Sequence, residues 1–151
     1  METTTKNSTA AIINLSTLTQ YFIPFGNFIF PIIIWSTNKD KSEYVNQQGK
    51  HTINFQLSLF LYSILLAAVA IPTLLFAFFK DTTFSALVNN EDVIFENFNF
   101  GDHVGLLTFG ILVLVVFAFM KVAEFFLVIY ASVKTSSGAD FKYPLTIRFI
   151  K

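Results

Sequence analysis

The sequence predicts an all-α fold, a polytopic helical membrane bundle, from its composition and its long apolar stretches. Hydrophobic residues make up 54% of the 151 residues, 13% are charged, and 20 are phenylalanine. So few charges cannot solvate a soluble globule of this size. The apolar stretches cover residues 12–35, 53–79 and 104–133, and each exceeds the roughly 20 residues that cross a hydrocarbon core. Because lipid offers the backbone no hydrogen-bond partner, we expect three long transmembrane helices, with four helices as the alternative.

The first stretch, residues 12–35, contains residues that break helices. It is interrupted by Pro24, Gly26 and Pro31, and a proline removes a backbone donor and clashes with the preceding turn. We expect one span with a kink near Gly26. The alternative is a hairpin of two half-helices, which would return the chain to the side from which it entered.

The charged residues predict the orientation of the bundle, since lysine and arginine in short loops are retained on the cytoplasmic side. The loop 36–52 and the tail 134–151 are basic, and the loop 80–103 is acidic. We therefore expect the first loop and the C-terminus to be cytoplasmic and the acidic loop to lie outside, with residues 1–151 forming a single integral membrane domain. The acidic residues of that outer loop are Asp81, Glu91, Asp92, Glu96 and Asp102.

Lys121 and Glu124 interrupt the third stretch and stand three residues apart, on one helical face. We expect them to form an intramembrane charged pair. Two depths stay open: the inner hydrocarbon boundary, where lysine can reach the headgroups, or the bilayer centre, where such a pair marks a functional position. Asn54 and Gln56 are the candidates for a polar cluster at the inner end of the second helix.

The tail after the third stretch contains Gly138, which can end the helix, and Pro144, which prevents its continuation. We expect Tyr143, Pro144 and Arg148 to form an interfacial anchor. The alternative is an extended tail that packs under the bundle, because apolar residues alternate with polar or small ones from Phe141 to Phe149.

Chemistry-bearing motifs are missing from the sequence. It contains no cysteine, its two histidines are predicted on opposite sides of the membrane, and no catalytic triad, zinc motif or phosphate-binding glycine loop is present. We therefore predict no catalytic residue, no cofactor and no metal site, and a protein that is not an enzyme. A formal net charge of zero gives no indication of a nucleic-acid partner.

Two segments, FGNFIFPIIIWSTNKDKSEYVNQQGKHTINFQLSLFLY and GADFKYPLTIRFIK, resemble a family of small bacterial membrane proteins of unknown function that is similar to the chloroplast inner-envelope translocon subunit Tic-twenty. The resemblance covers most of the chain outside the N-terminus and the acidic loop. It implies a helical bundle of the bacterial inner membrane with no established enzyme activity, and a role beside protein translocation or membrane-complex assembly. The matching positions include Pro31, Trp35, Gly49-Lys50, Asn54-Phe55-Gln56, Gly138, Tyr143-Pro144-Leu145 and Arg148-Phe149-Ile150.

The leading hypothesis is a non-catalytic accessory or scaffold subunit of an inner-membrane assembly, with the lipid bilayer and other membrane protein subunits as partners. The alternative is a small oligomeric channel or transporter with a polar lining from Lys121 and Glu124.

Overall fold

The computed structural model describes residues 3–79 and 100–151, with the backbone alone at 77–79 and 100–103. No strand occurs among these residues, which confirms the all-α prediction. The prediction of three long spanning helices is not confirmed, because two helices have the length and hydropathy to cross a membrane. The helices are α1 (Thr3–Ser16), a 3-10 helix (Thr17–Tyr21), α2 (Gly26–Asn38), α3 (Glu43–Phe79) and α4 (Phe100–Ser136).

The helices α3 and α4 are the candidate membrane spans. Their most apolar segments have mean hydropathies of 2.4 and 2.6, and only 11% and 17% of these segments are buried. Exposed apolar side chains of this kind are stable when lipid rather than water surrounds them. Both helices are longer than predicted. Helix α3 begins at Glu43, inside the predicted loop 36–52, where a carboxylate in the first turn favours a helix start.

Of the predicted acidic loop 80–103, residues 80–99 lie outside the described residues, and 100–103 belong to α4.

The first apolar stretch is two short helices rather than one span. Hydroxyls at the end of α1 bond to its free carbonyls: Thr17 Oγ1 donates to Asn14 O at 2.8 Å, and Thr19 Oγ1 donates to Ser16 O at 2.6 Å. Such bonds compete with helix continuation. Phe25, with φ of 60°, then reverses the chain before α2. At 14 and 13 residues, each helix is about 20 Å long and too short to cross alone.

Side-chain contacts make α1 and α2 a hairpin. Along α1 and the 3-10 helix, Asn14 bonds to Thr135 and Gln20 bonds to Glu124, so the chain runs antiparallel to α4. Along α2, Asn27 bonds to Gln56 and Trp35 bonds to Asn46, so α2 runs antiparallel to α3. The start of α1 and the end of α2 therefore lie at the same end as the start of α3. This geometry corresponds to the hairpin alternative.

The chain divides into two compact units, Met1–Tyr62 with Lys121–Lys151, and Ser63–Met120. In the second unit α3 and α4 approach closely, since a Cβ on Gly110 would lie 2.6 Å from Cδ2 of Leu74. Pro72 lies inside α3, which continues past it. The single membrane domain expected over residues 1–151 stays a prediction.

The tail leaves α4 through a glycine cap. Gly138 adopts φ of 81°, its N–H donates to Thr135 O at 3.0 Å, and the N–H of Ala139 donates to Lys134 O at 3.1 Å. This pair of bonds is the Schellman pattern, which requires a left-handed residue at the position of Gly138. The chain then turns back along α3.

Candidate functional site

The first unit contains a polar interior that joins three helices and the tail at Asn14. This α1 residue is 1% exposed. Its Nδ2 donates to Thr135 Oγ1 of α4 at 3.1 Å, and its Oδ1 accepts from Thr52 Oγ1 of α3 at 2.5 Å and from the Tyr143 hydroxyl of the tail at 2.9 Å. Buried polar groups are stable only when bonded in this way. We call Asn14, Thr52, Thr135 and Tyr143 the Asn14 cluster.

A row of polar side chains on one face of α3 holds the backbone of the tail. His51 Nδ1 lies 3.0 Å from Phe141 O, and the Tyr62 hydroxyl donates to Leu145 O at 2.8 Å. The tail therefore advances along α3 and reverses at Leu145, where φ is 53°. On the way back Ser58 Oγ accepts from Ile147 N at 2.8 Å. The tail is thus a loop clasped by α3.

Asn54 fixes the final part of this loop. Its Oδ1 accepts from Phe149 N at 3.1 Å and from Ile150 N at 2.8 Å, and its Nδ2 donates to Ile150 O at 2.9 Å. One amide side chain thereby replaces the strand partner that an extended segment would otherwise need. Asn54 is 2% exposed, so water does not compete for these bonds.

Tyr143 fills the interior with its ring as well as its hydroxyl. The ring stacks on Phe55 with centroids 4.1 Å apart, and Phe141 meets it edge-on at 4.9 Å. Burial raises the pKa of the Tyr143 phenol, because a phenolate would lose its hydration there. The residue was expected at the membrane interface, and the structure places it 6% exposed between helices. Its depth relative to lipid headgroups stays a prediction.

The charged pair lies in the same unit and includes a third residue. Lys121 Nζ lies 2.9 Å from Glu124 Oε2, while Gln20 Nε2 donates to Glu124 Oε1 at 2.8 Å. Gln20 Oε1 in turn lies 3.4 Å from Lys121 Nζ. Glu124 is 1% exposed, and both of its carboxylate oxygens have donors. The depth of the pair in a membrane stays a prediction.

The other predicted polar residue, Gln56, does not share a hydrogen bond with Asn54. Gln56 is 1% exposed and its Oε1 accepts from Asn27 Nδ2 of α2 at 2.8 Å. Its Nε2 is buried without a hydrogen-bond partner in the described part of the chain. The two residues predicted as one inner cluster therefore hold different elements: Asn54 holds the tail, and Gln56 holds the hairpin.

The predicted helix-break residues occupy distinct places in the hairpin. Pro24 lies in the turn before α2, Gly26 begins α2, and Pro31 is buried inside it. A side chain at Gly26 would meet Thr19, with a Cβ 2.6 Å from its Oγ1, so the turn needs glycine for close approach. In the tail, Pro144 and Arg148 are exposed.

The arrangement is suited to holding elements together. The bonds of the Asn14 cluster join neutral amides and hydroxyls of three helices and the tail. Over residues 3–79 and 100–151 no group of three His, Asp or Glu side chains could hold a metal ion.

Sequence reasoning missed Asn14, Thr52 and Thr135. Asn14 is the one polar residue in AAIINL, and an amide in an otherwise apolar helix segment is a signal of a buried partner. The sequence also indicates the polar row on α3, because its members stand three or four residues apart and therefore share one helical face. They are Gln48, His51, Asn54, Ser58 and Tyr62.

Comparison with protein families gives one match over nearly the whole chain. The family model described as "Magnetosome magnetite crystal formation protein family" (MamF/MmsF) matches residues 5–150. Searches of curated proteins and of solved structures returned no match. The expected membership of a Tic-twenty-like family is therefore wrong. The segments that suggested it are helix and tail patterns that different small bundles can share, and the link to protein translocation loses its support.

Proposed function

This chain belongs to the MamF/MmsF magnetosome magnetite crystal formation protein family, and we propose that it acts in crystal formation as a non-catalytic accessory or scaffold protein of the magnetosome membrane. Membership of the family supports a part in crystal formation. The way in which polar side chains hold the first unit together supports the role of accessory or scaffold protein. The observation that carries the proposal is the Asn14 cluster, in which one amide bonds to α3, α4 and the tail.

A catalytic centre needs polar groups that face a substrate and change protonation or form bonds. In the first unit the buried polar groups, apart from Gln56 Nε2, bond to one another, to helix backbone or to tail backbone instead. Asn54 and Tyr143 are the clearest cases, because their polar atoms are engaged with other parts of the same chain. A fixed shape presented by a membrane protein is what a scaffold requires.

The proposed topology has α3 and α4 crossing the bilayer and the α1–α2 hairpin entering and returning on one side. The basic loop and tail favour the cytoplasmic side for the C-terminus, and the hairpin then brings the N-terminus to that side as well. The acidic loop would lie on the opposite side. Lipid and other membrane protein subunits are the proposed partners, since large apolar side chains such as Phe76, Phe119 and Phe126 are more than half exposed.

The test compares crystals by electron microscopy in cells lacking the protein and in the same cells complemented with the parent chain. We expect smaller or fewer crystals without the protein and full recovery with the parent. Asn14→Leu removes the bonds of the Asn14 cluster and should impair folding. Crystal size and number should then fall in proportion to the amount of this variant in the magnetosome membrane. Ser42→Ala, an exchange outside the Asn14 cluster, serves as the matched control.

Two results would overturn the proposal. Crystals unchanged by the loss of the protein would remove the role in crystal formation. A single exchange such as Glu124→Gln that abolishes crystals while the protein stays folded and fully present would indicate chemistry at that residue instead of a scaffold. Partner subunits are tested separately, by purification from magnetosome membranes in mild detergent, where recovery of the free monomer alone would count against them.

The channel alternative rests on the Lys121–Glu124 pair and stays a prediction. Both oxygens of the buried Glu124 carboxylate have donors within the first unit, an arrangement that favours a closed contact over an ion pathway. Ion flux into proteoliposomes decides between the scaffold and the channel. It is measured for the parent, for Lys121→Met and for Glu124→Gln. Flux in the parent that either exchange abolishes would favour the channel.

A further inference from the structure

A charged cleft lies between the first half of α3 and the returning tail. It has a volume of about 620 Å³ and is lined by polar and charged side chains of both segments. A smaller recess of about 130 Å³ shares four residues with it. Those four are His51, Asn54, Lys142 and Arg148.

The recess is cationic, because its lining includes Lys142 and Arg148 and no carboxylate. The acidic residues of the wider cleft, Glu43 and Asp140, are outside the recess lining. Asp140 Oδ1 already accepts from Gln48 Nε2 at 3.2 Å. Within the described ranges neither Lys142 nor Arg148 forms an ion pair, so neither cation of the recess is bonded to a carboxylate there.

The tail clasp holds these cations in position. His51 contacts Phe141 O, next to Lys142, and Asn54 holds the N–H groups of Phe149 and Ile150, next to Arg148. The backbone next to both cations is therefore fixed, and both side chains line the recess. A fixed backbone loses no further conformational entropy when an anion binds.

We infer that this recess binds a phosphate group, carried by an anionic lipid headgroup or by free phosphate. Arginine offers a planar fork of donors that matches phosphate oxygens, and lysine adds a compact charge. His51, whose Nδ1 lies 3.0 Å from the Phe141 carbonyl oxygen, forms one wall of the recess beside the two cations. The wider cleft provides room for the remainder of a headgroup.

The position favours a lipid source, since basic residues beside the cytoplasmic end of a span meet anionic headgroups. The inference does not depend on the proposed role in crystal formation. It concerns the tail loop and the start of α3, and it would hold for any function of the bundle.

The test uses the full chain purified in neutral detergent. Binding of short-chain phosphatidylglycerol, short-chain phosphatidylcholine and inorganic phosphate is measured by native mass spectrometry and by the shift in melting temperature at constant ionic strength. The cleft variant is Lys142→Gln/Arg148→Gln. The matched control, Lys39→Gln/Lys41→Gln, removes the same formal charge from the α2–α3 connection, where Lys39 lies over the Trp35 ring and Lys41 bonds to Asn38.

We expect the parent and the control to bind phosphatidylglycerol and the cleft variant to bind about 30-fold more weakly, since each cation at an anionic headgroup changes binding roughly fivefold. Helix content and melting temperature without ligand should be equal in all three, because both exchanged cleft residues are exposed. A second variant, Lys142→Gln alone, should show an intermediate loss.

The arms distinguish the source of the phosphate. Binding of phosphatidylglycerol without binding of inorganic phosphate supports a headgroup site, and binding of inorganic phosphate that the cleft variant loses supports a free-phosphate site. Equal binding by parent and cleft variant, equal loss in the control, equal affinity for phosphatidylcholine, or no binding by the parent would each overturn the inference.

Discussion

Phe55 and Tyr143 lie face to face, with ring centroids 4.1 Å apart and planes 11° from parallel. The contact joins the middle of the polar row on α3 to the buried point of the tail. It places the Tyr143 hydroxyl 2.9 Å from Asn14 Oδ1. Stability of the tail should therefore depend on both the ring and the hydroxyl of Tyr143, and the two contributions can be separated.

Tyr143→Phe should lower the free energy of unfolding by about 1 kcal/mol, since it removes one buried hydrogen bond and keeps the stack. The loss stays modest because Asn14 Oδ1 retains its bond from Thr52. Unfolding in mild detergent, followed by circular dichroism against added denaturing detergent, provides the measurement. Tyr130→Phe is the control, because the Tyr130 hydroxyl has no hydrogen-bond partner among the described residues. Equal effects of the two exchanges would refute the assignment.

Stability should fall at alkaline pH through Tyr143. Burial raises the pKa of its phenol above the ordinary value of 10.0, so the unfolded chain releases this proton at lower pH than the folded chain. The stabilisation is fully present below that ordinary value and is lost as the pH rises above it. Melting temperatures measured on either side of pH about 10 should fall more steeply for the parent than for Tyr143→Phe. Parallel curves would show that other groups govern alkaline unfolding.

Removing Lys121 should cost more than removing both members of the charged pair. Lys121→Met leaves the buried Glu124 carboxylate without its cation and should destabilise by about 2 kcal/mol. Adding Glu124→Gln to that variant removes the uncompensated charge and should restore part of the loss. A double-mutant cycle of unfolding free energies measures the coupling. Purely additive losses would mean that the 2.9 Å contact contributes nothing to stability.

Gly49 of α3 lies against the Trp35 side chain of α2. A Cβ at this position would overlap Cδ1 of Trp35 and lie 2.7 Å from its Cγ, and the indole is held by a bond from Nε1 to Asn46 Oδ1. Gly49→Ala should therefore destabilise by about 1–3 kcal/mol through overpacking. Gly105→Ala is the matched control, since nothing lies within 4 Å of its Cβ position and alanine favours a helix. The prediction fails if Gly49→Ala melts no lower than Gly105→Ala.

The hairpin predicts that both ends of the chain face one side of the membrane. A Cβ on Gly138 would lie 2.8 Å from the side-chain amide of Asn7, and the Tyr44 hydroxyl donates to Ala139 O at 3.0 Å, so α1, α3 and the tail meet at one end. Because the chain lacks cysteine, single cysteines at Thr4, Ser42, Asn90 and Lys151 report accessibility directly. We expect labelling of Thr4, Ser42 and Lys151 from one side and of Asn90 from the other. Labelling of Thr4 with Asn90 would require a full crossing by the first stretch.

The sequence predicts the long helices well because their signal is local. An uninterrupted apolar stretch must satisfy its own backbone in lipid, and both α3 and α4 follow. The first stretch carries an ambiguous signal, since a proline can either bend a helix or end it. Thr17 and Phe25 decide between these outcomes, through a carbonyl bond and a left-handed turn that depend on the surrounding packing.

The interior was harder to predict, because it depends on contacts between distant residues. Tyr143 and Asn14 are 129 positions apart, and the tail alone suits an interfacial anchor as well as a buried loop. The row on α3 indicates a polar face, but it does not say what that face binds. Lys121 and Glu124 were easier, since a spacing of three residues on a helix brings them together.

The tail clasp has a consequence for how the protein is made. Residues 143–150 are synthesised after the helices that the structure describes, yet Asn14, in the first of these helices, bonds to Tyr143, and Asn54 bonds to Ile150. The first unit therefore cannot close before residues 143–150 have been synthesised. Until then the Asn54 amide lacks the tail backbone that it bonds in the folded protein, and an amide without a partner in an apolar environment destabilises the unfinished bundle.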